Sequence, residues 1–438
     1  MLANIKKLSN SKFVRNVAIV ATGTAGAQGI AMVFMPIITR LYGPEAFGLL
    51  GAFMAILAIV TPIAALTYPS AMVLPKSDRD ALGLAKLSTI LAFVMASLLA
   101  IILLFTGEAL AELLRLQSVA GFLLLIPVAM LFAAFHQILQ QWLIRKKQFK
   151  ITARVAVLQS LTLNSAKAGI GWFHPVGAVL IILATLGNAL HALLLWLGIK
   201  NQPGAYPNKQ QQADNENREM EQSDLKALAI QYRGFPVFRA PQIAINALSQ
   251  SVPVLMLASF FGPAAAGFYT LGKTVMGLPS ILIGKSVGSV FYPRVAEAAN
   301  NKEDLFQLVK KATMALALSG LLPFALVVAF GPWLFSIVFG AEWIKAGEYA
   351  QWMAIWIYSI LITVPTVQVL PTVGMQGFHL IFTIIKTTLR LSALAVGFIY
   401  YQDDYVSVAL FCVVGFVTNI FLIGYVLYKL KRKSFHFN

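Results

Sequence analysis

Long apolar runs alternate with short polar stretches along the whole chain. A helix that crosses bilayer hydrocarbon needs about 20 mostly apolar residues. Twelve runs reach that length: 14–39, 45–68, 82–106, 118–141, 152–172, 175–198, 228–260, 264–291, 306–330, 347–371, 376–400 and 405–428. The pattern predicts an all-α integral membrane protein with no strands. The seventh run is longer than a bilayer is thick and holds Pro236, Pro241 and Pro253. Those prolines predict a tilted, kinked or partly interfacial helix.

The polar stretches set the orientation. With the N-terminus placed inside, the inward segments hold 25 Lys and Arg. The outward ones hold 3: Arg40, Arg115 and Lys345. Positive charge collects on the cytoplasmic side, so both termini are expected there and the span count is even. The inside turn near Thr372–Gln376 carries no charge. Residues 1–30 have the basic start of a signal peptide, but the apolar run is too long and eleven more follow, so an uncleaved first span is expected. Trp142, Trp172, Trp196, Trp333 and Trp343 fall near span ends, which predicts an interfacial aromatic belt.

Composition agrees with the pattern. Of 438 residues, 58% are apolar and 12% charged, with a mean hydropathy of +0.76. Soluble domains carry about 25% charged residues, so a soluble enzyme, a disordered chain and a nucleic-acid binder are excluded. The net charge of +17 belongs to the loops beside a membrane. One cysteine, Cys412, excludes a disulfide framework and a cysteine metal site. The five histidines show no metal spacing, and no glycine-rich phosphate loop is followed by Lys-Ser/Thr. No cofactor, metal or catalytic residue is expected.

The chain repeats itself. Leu41-Tyr42-Gly43-Pro44-Glu45-Ala46-Phe47-Gly48 is echoed by Phe260-Phe261-Gly262-Pro263-Ala264-Ala265-Ala266-Gly267, and Leu74-Pro75-Lys76 by Tyr292-Pro293-Arg294. Each motif of the first pair sits in the turn after the first span of a half; those of the second pair end the second span. Two parallel six-helix halves are expected, with a substrate site between them. The domains are 1–199, a polar cytoplasmic tether at 200–226, and 227–438.

With charges near the run ends counted among the inward and outward segments, six cations remain within the membrane: Lys167, Arg239, Lys273, Lys285, Lys386 and Arg390. Counted in the same way, no carboxylate lies there. A cation in hydrocarbon is costly unless something answers it, so the set points to a water-filled cavity awaiting an anion. Helical phase groups Arg239 with Asn246 and Gln250, Lys386 with Arg390, Thr383 and Thr387, and Lys167 with Ser160 and Asn164. Lys273 shares a stripe with Gly277, Ser280 and Gly284. His136, Gln137, Gln140 and Gln141 are further pore candidates. A second reading stays open for each: Arg239 and Lys285 snorkelling inward, Lys167 at the outer interface, and the Gly-Ser stripe as plain helix packing.

Arg40-Leu41-Tyr42-Gly43-Pro44-Glu45-Ala46-Phe47-Gly48 and Leu74-Pro75-Lys76-Ser77-Asp78 resemble first-half signatures of Wzx-type oligosaccharide flippases. Tyr232-Arg233-Gly234-Phe235-Pro236, the segment Phe261-Gly262-Pro263 to Tyr269, and Leu278-Pro279 to Arg294 resemble the second half. Those flippases are a polysaccharide-transporter branch of the multidrug/oligosaccharidyl-lipid/polysaccharide (MOP) superfamily, which includes the MATE transporters. The resemblance covers residues 40–294; the last four spans agree in architecture alone.

The resemblance implies a flippase that moves undecaprenyl-pyrophosphate-linked oligosaccharide to the outer leaflet of a bacterial inner membrane. O-antigen, capsule or exopolysaccharide assembly would follow. It implies membrane lipids as neighbours, and the polymerase and chain-length regulator of the pathway as partners. The rival readings are a multidrug antiporter of the same superfamily, its peptidoglycan-precursor flippase branch with fourteen spans, and a membrane polymerase or glycosyltransferase.

Overall fold

The computed structural model describes residues 12–201, 225–301 and 303–434, with side chains at 12–18, 278–290, 292, 293, 296, 300, 433 and 434 left undescribed. The described residues form helices joined by short turns, with no strand. Twelve of the described helices are long: α1 Lys12–Leu41, α2 Pro44–Ala64, α3 Asp78–Leu113, α4 Leu125–Arg145, α5 Phe149–Phe173, α6 Gly177–Lys200, α7 Ala240–Phe261, α8 Pro263–Asn300, α9 Leu305–Phe339, α10 Ile344–Val369, α11 Gln376–Val396 and α12 Asp404–Ser434. Among the described residues, nine stretches are long and apolar enough to cross a membrane. The long helices outside those nine are α4, α5 and α8. α4 carries His136, Gln137, Gln140 and Gln141, and α5 carries Gln159, Ser160, Asn164 and Lys167, so their mean hydropathy falls.

By compactness the chain divides within α7, into residues 1–255 and 256–438. The tether expected at 200–226 lies mostly at residues 202–224, outside the described residues.

In the first unit, Gly43 is the extended N-cap of α2 and Pro44 opens the helix. Proline suits that position because its missing N–H would be unpaired there anyway. α2 stops where Leu66 and Thr67 turn left-handed, at φ 48° and 58°, and a 3₁₀ turn at Tyr68–Val73 follows. Ser77 caps α3 by accepting from the Asp80 amide, with Asp78 and Asp80 in the first turn. α3 runs 36 residues, roughly 54 Å at 1.5 Å per residue, and so continues past the hydrocarbon. Left-handed residues Arg115 and Lys147, at φ 53° and 55°, close α3 and α4. The Leu116 and Gln148 amides then reach back to Ala111 and Leu143 carbonyls, the wrapped C-terminus that usually takes glycine.

α1 and α5 touch backbone to backbone. A Cβ on Gly23 would sit 2.4 Å from Ala153 Cβ, and Ser160 Oγ donates to the Ala27 carbonyl at 2.7 Å. Small residues permit this approach in a membrane protein. Tyr42 is fully buried, and its hydroxyl donates to the Lys167 carbonyl at 3.0 Å.

One end of this unit is tied by Arg145. Its Nε donates to Asp78 Oδ1 at 2.9 Å. Its Nη1 donates to the Met72 and Pro75 carbonyls at 3.1 and 2.6 Å, and Nη2 to Lys76 at 3.3 Å. Lys146 also pairs with Asp78.

In the second unit, Gly262 caps α8 at φ 88° and Pro263 opens it, so both Gly-Pro pairs start a helix. The other echo is not structurally equal. Leu74-Pro75-Lys76 follows the 3₁₀ turn, whereas Tyr292-Pro293-Arg294 lies inside α8, which continues to Asn300. α10 is the central helix of this unit, with Ala346, Tyr349, Ala350, Met353 and Ala354 all at 0% exposure. It crosses α9 where Gly331 and Gly347 meet: a Cβ on Gly347 would lie 2.5 Å from the Gly331 oxygen.

The aromatic belt is only partly present. Trp172, Trp333 and Trp196 are exposed, but Trp142 and Trp343 are core residues at 6% and 0% exposure. Trp343 packs edge-on against Phe268. Proximity to a span end reports depth in the bilayer; it is blind to whether the ring faces lipid or protein.

Candidate functional site

Polar side chains gather in each unit.

In the first unit, Phe235–Arg239 is π-helical before α7 begins. Its wider turn breaks the 100° phase that grouped Arg239 with Asn246. Both nevertheless line one groove of about 500 Å³ with Gly234, Phe238, Gln242 and Ile243. Arg239 is exposed and its guanidinium lies over the Phe235 ring at 5.7 Å. Gln250 is not part of that lining; its Nε2 donates to Asn246 Oδ1 at 3.4 Å. Gln242 was missed, although its position one helical turn before Asn246 made it visible.

Gln137 and Gln141 line a smaller cavity of about 150 Å³ with Thr67 and Ser70. His136 instead lies against His191 of α6, ring centroids 4.1 Å apart and planes tilted by 35°. Of the α5 stripe, Ser160 and Asn164 are buried against helix backbone and line no described cavity: Asn164 Nδ2 donates to the Ser160 carbonyl at 2.7 Å. Ser160 thereby joins α5 to the Ala27 carbonyl of α1, while Asn164 bonds within α5. Lys167 is half-buried, and no carboxylate pairs with it among the described residues.

The second unit holds a tighter cluster. Lys273 of α8 and Lys386 and Arg390 of α11 lie close enough that Arg390 acts electrostatically on both lysines. Arg390 lies against two aromatic rings that meet edge to face, Trp356 of α10 at 3.8 Å and Phe411 of α12 at 3.9 Å. Cation–π contact of this kind offsets part of the cost of removing a guanidinium from water. Lys386 Nζ donates to Asn419 Oδ1 at 3.3 Å. Asn419 Nδ2 donates to Ser359 Oγ at 2.8 Å, and Ser359 Oγ donates to the Trp356 carbonyl. The chain of bonds thus joins α11, α12 and α10. No ion pair reaches Lys386 or Arg390 among the described residues.

Sequence phase had found the cations and missed their setting. Trp356, Phe411, Ser359 and Asn419 lie on other helices, beyond the reach of a single-helix pattern. A lone Asn419 inside an apolar run was the available signal. Lys285 lies in α8, but its side chain is outside the described residues.

The described ion pairs lie at the ends. Asp78 pairs with Arg145 and Lys146, Arg294 with Glu297 and Glu303, and Lys345 with Asp404. Each joins residues that the charge count assigns to one side. The hydrogen bond from Arg294 holds the Glu303 carboxyl below the usual range.

A family model described as "Polysaccharide biosynthesis protein" matches residues 13–215, and a second of the same description matches residues 235–348. The chain is 24% identical over 356 residues to the succinoglycan biosynthesis transport protein ExoT of Rhizobium meliloti (strain 1021). That match takes in 77% of this chain but 65% of the relative's own length.

Among solved structures, the fold is similar to an inward-facing MATE-family multidrug resistance transporter of the MOP superfamily. The TM-score is 0.65 at 15% identity, over 97% of this chain and 100% of that one. It is also similar to the lipid II flippase MurJ in an inward closed conformation. Here the TM-score is 0.66 at 12% identity, over 95% and 91%. With the Gly-Pro caps and the cation-bearing helices, these likenesses converge: the chain resembles polysaccharide biosynthesis proteins over residues 13–215 and 235–348, and its multi-pass helical fold is similar to that of MOP-superfamily transporters.

Proposed function

We propose that the protein flips an undecaprenyl-pyrophosphate-linked oligosaccharide repeat unit from the cytoplasmic to the outer leaflet of a bacterial inner membrane. The observation that carries the reading is the cluster of Lys273, Lys386 and Arg390 held within apolar helices, where no ion pair reaches Lys386 or Arg390 among the described residues. Such a cluster attracts a diphosphate and repels cationic drugs, which sets the flippase above a multidrug antiporter.

In this reading all twelve long helices span the bilayer as two parallel six-helix halves, with both termini cytoplasmic. The exposed Arg239, with Asn246 beside it, meets the headgroup at its groove, and Lys167 and Lys285 add positive potential. The halves alternate access, and the lipid tail stays in the bilayer. A membrane potential negative inside favours outward movement of an anion by about 2.3 kcal/mol per charge per 100 mV. The exported unit then meets the polymerase and chain-length regulator of its pathway.

The test uses cells that lack the protein and a periplasmic probe for the lipid-linked repeat unit. The deletion should hold the unit on the cytoplasmic side, and Lys273→Ala or Lys386→Ala at normal protein levels should cut outer-leaflet display at least tenfold. Full display in the deletion strain refutes the reading.

A further inference from the structure

Arg390 has two nitrogens, Nε and Nη2, that are enclosed and have no hydrogen-bond acceptor. Enclosed polar groups almost always have a partner, and a guanidinium never loses its charge. These two N–H groups share one edge of the guanidinium plane. Together they form the fork that matches two oxygens of a carboxylate or phosphate.

The surroundings narrow the ligand further. Trp356 and Phe411 lie against the guanidinium at 3.8 and 3.9 Å, edge to face with each other, so they shield two adjacent sides of it, and the two N–H groups without an acceptor mark the edge where an anion would be received. Beside Nε runs α12 at Gly415, where an added Cβ would lie 3.0 Å from Nε and 2.6 Å from Trp356 Cδ1. The absence of a side chain at 415 is what lets α12 lie over the fork. Lys386, one helical turn away, is tied to Asn419, also one turn beyond Gly415. Movement of α12 would therefore uncover the fork and loosen the lysine together.

We propose that the Nε/Nη2 edge of Arg390 is a receptor for one two-oxygen anionic group, closed by α12 at Gly415 in this conformation and opened when that group binds. The group is a phosphate of the lipid diphosphate or a carboxylate of an acidic sugar. The proposal rests on the flippase reading for what carries the anion, and on geometry alone for the anion itself.

Calorimetric titration of the purified full-length protein in detergent tests it, with inorganic pyrophosphate, glucuronate and sodium chloride as separate probes. Saturable binding of pyrophosphate or of glucuronate is expected, and the tighter of the two identifies the source. Arg390→Lys keeps the charge and removes the fork, so it should weaken that binding at least tenfold. Should the variant fold poorly, the wild-type protein still decides: its melting temperature should rise with the bound probe and not with chloride at equal ionic strength.

Chloride binding as tight as either oxyanion, no saturable binding at all, or full affinity in a well-folded Arg390→Lys overturns the proposal. Leaflet display in cells is read separately. A flippase without oxyanion binding at Arg390 refutes this receptor alone, and oxyanion binding by a protein that does not flip refutes only the transport reading.

Discussion

At the scale of single residues, the same kind of side chain does opposite work depending on what meets it. Arg145 and Arg390 are both enclosed guanidiniums. Arg145 gives its donors to Asp78 and to the carbonyls of Met72, Pro75 and Lys76, so it is a fastener. Arg390 has aromatic neighbours and two idle donors, which is why the proposal makes it a receptor. Arg145→Ala should therefore lower stability by about 2 kcal/mol, the scale of hydrogen bonds to a charged group, read as a drop in melting temperature in detergent. An unchanged melting temperature would mean that water replaces the fastener. Glu303 behaves as a surface counterpart. Because the Arg294 hydrogen bond lowers its pKa, that link is lost at a lower pH than the one at which a free glutamate takes up its proton. Sequence alone could not separate these cases, since charge and phase are read along one helix while partners come from another.

At the scale of helices, the apolar runs located every long element, and the Gly-Pro pairs located two of their starts. What they missed is how far helices run beyond lipid. The apolar run 82–106 became α3, Asp78–Leu113, because polar residues end the hydrophobic signal without ending the helix. Contact between helices was equally hidden. The α9–α10 crossing depends on two glycines whose backbones meet, with a Cβ on Gly347 placed 2.5 Å from the Gly331 oxygen and 2.6 Å from Pro332 Cα. Neither obstacle is a flexible side-chain tip. Gly347→Ala should cost about 1–3 kcal/mol by overpacking. Thermal melting checks it, and a neutral result would show that the two helices slide apart freely.

At the scale of the whole molecule, topology rests on the distribution of Lys and Arg. A chain in which Cys412, itself buried, is replaced by Ala can carry single reporters. Arg115→Cys should react with a membrane-impermeant thiol reagent in intact cells, and Lys147→Cys should react only after the cells are opened. The reverse pattern would invert the orientation while leaving the fold unchanged.

The polar faces of α4 and α5 also bear on how the chain is made. A helix leaves the protein-conducting channel for lipid readily when it is apolar and reluctantly when it carries amides and a lysine. α5 arrives after α1, whose Ala27 carbonyl accepts from Ser160, so its partner is already waiting. α4 arrives before α6, which supplies His191 to His136, so its partner has not yet been synthesised. Biogenesis of the first unit should therefore pause at α4, held at the channel mouth until α6 emerges and the two depart together.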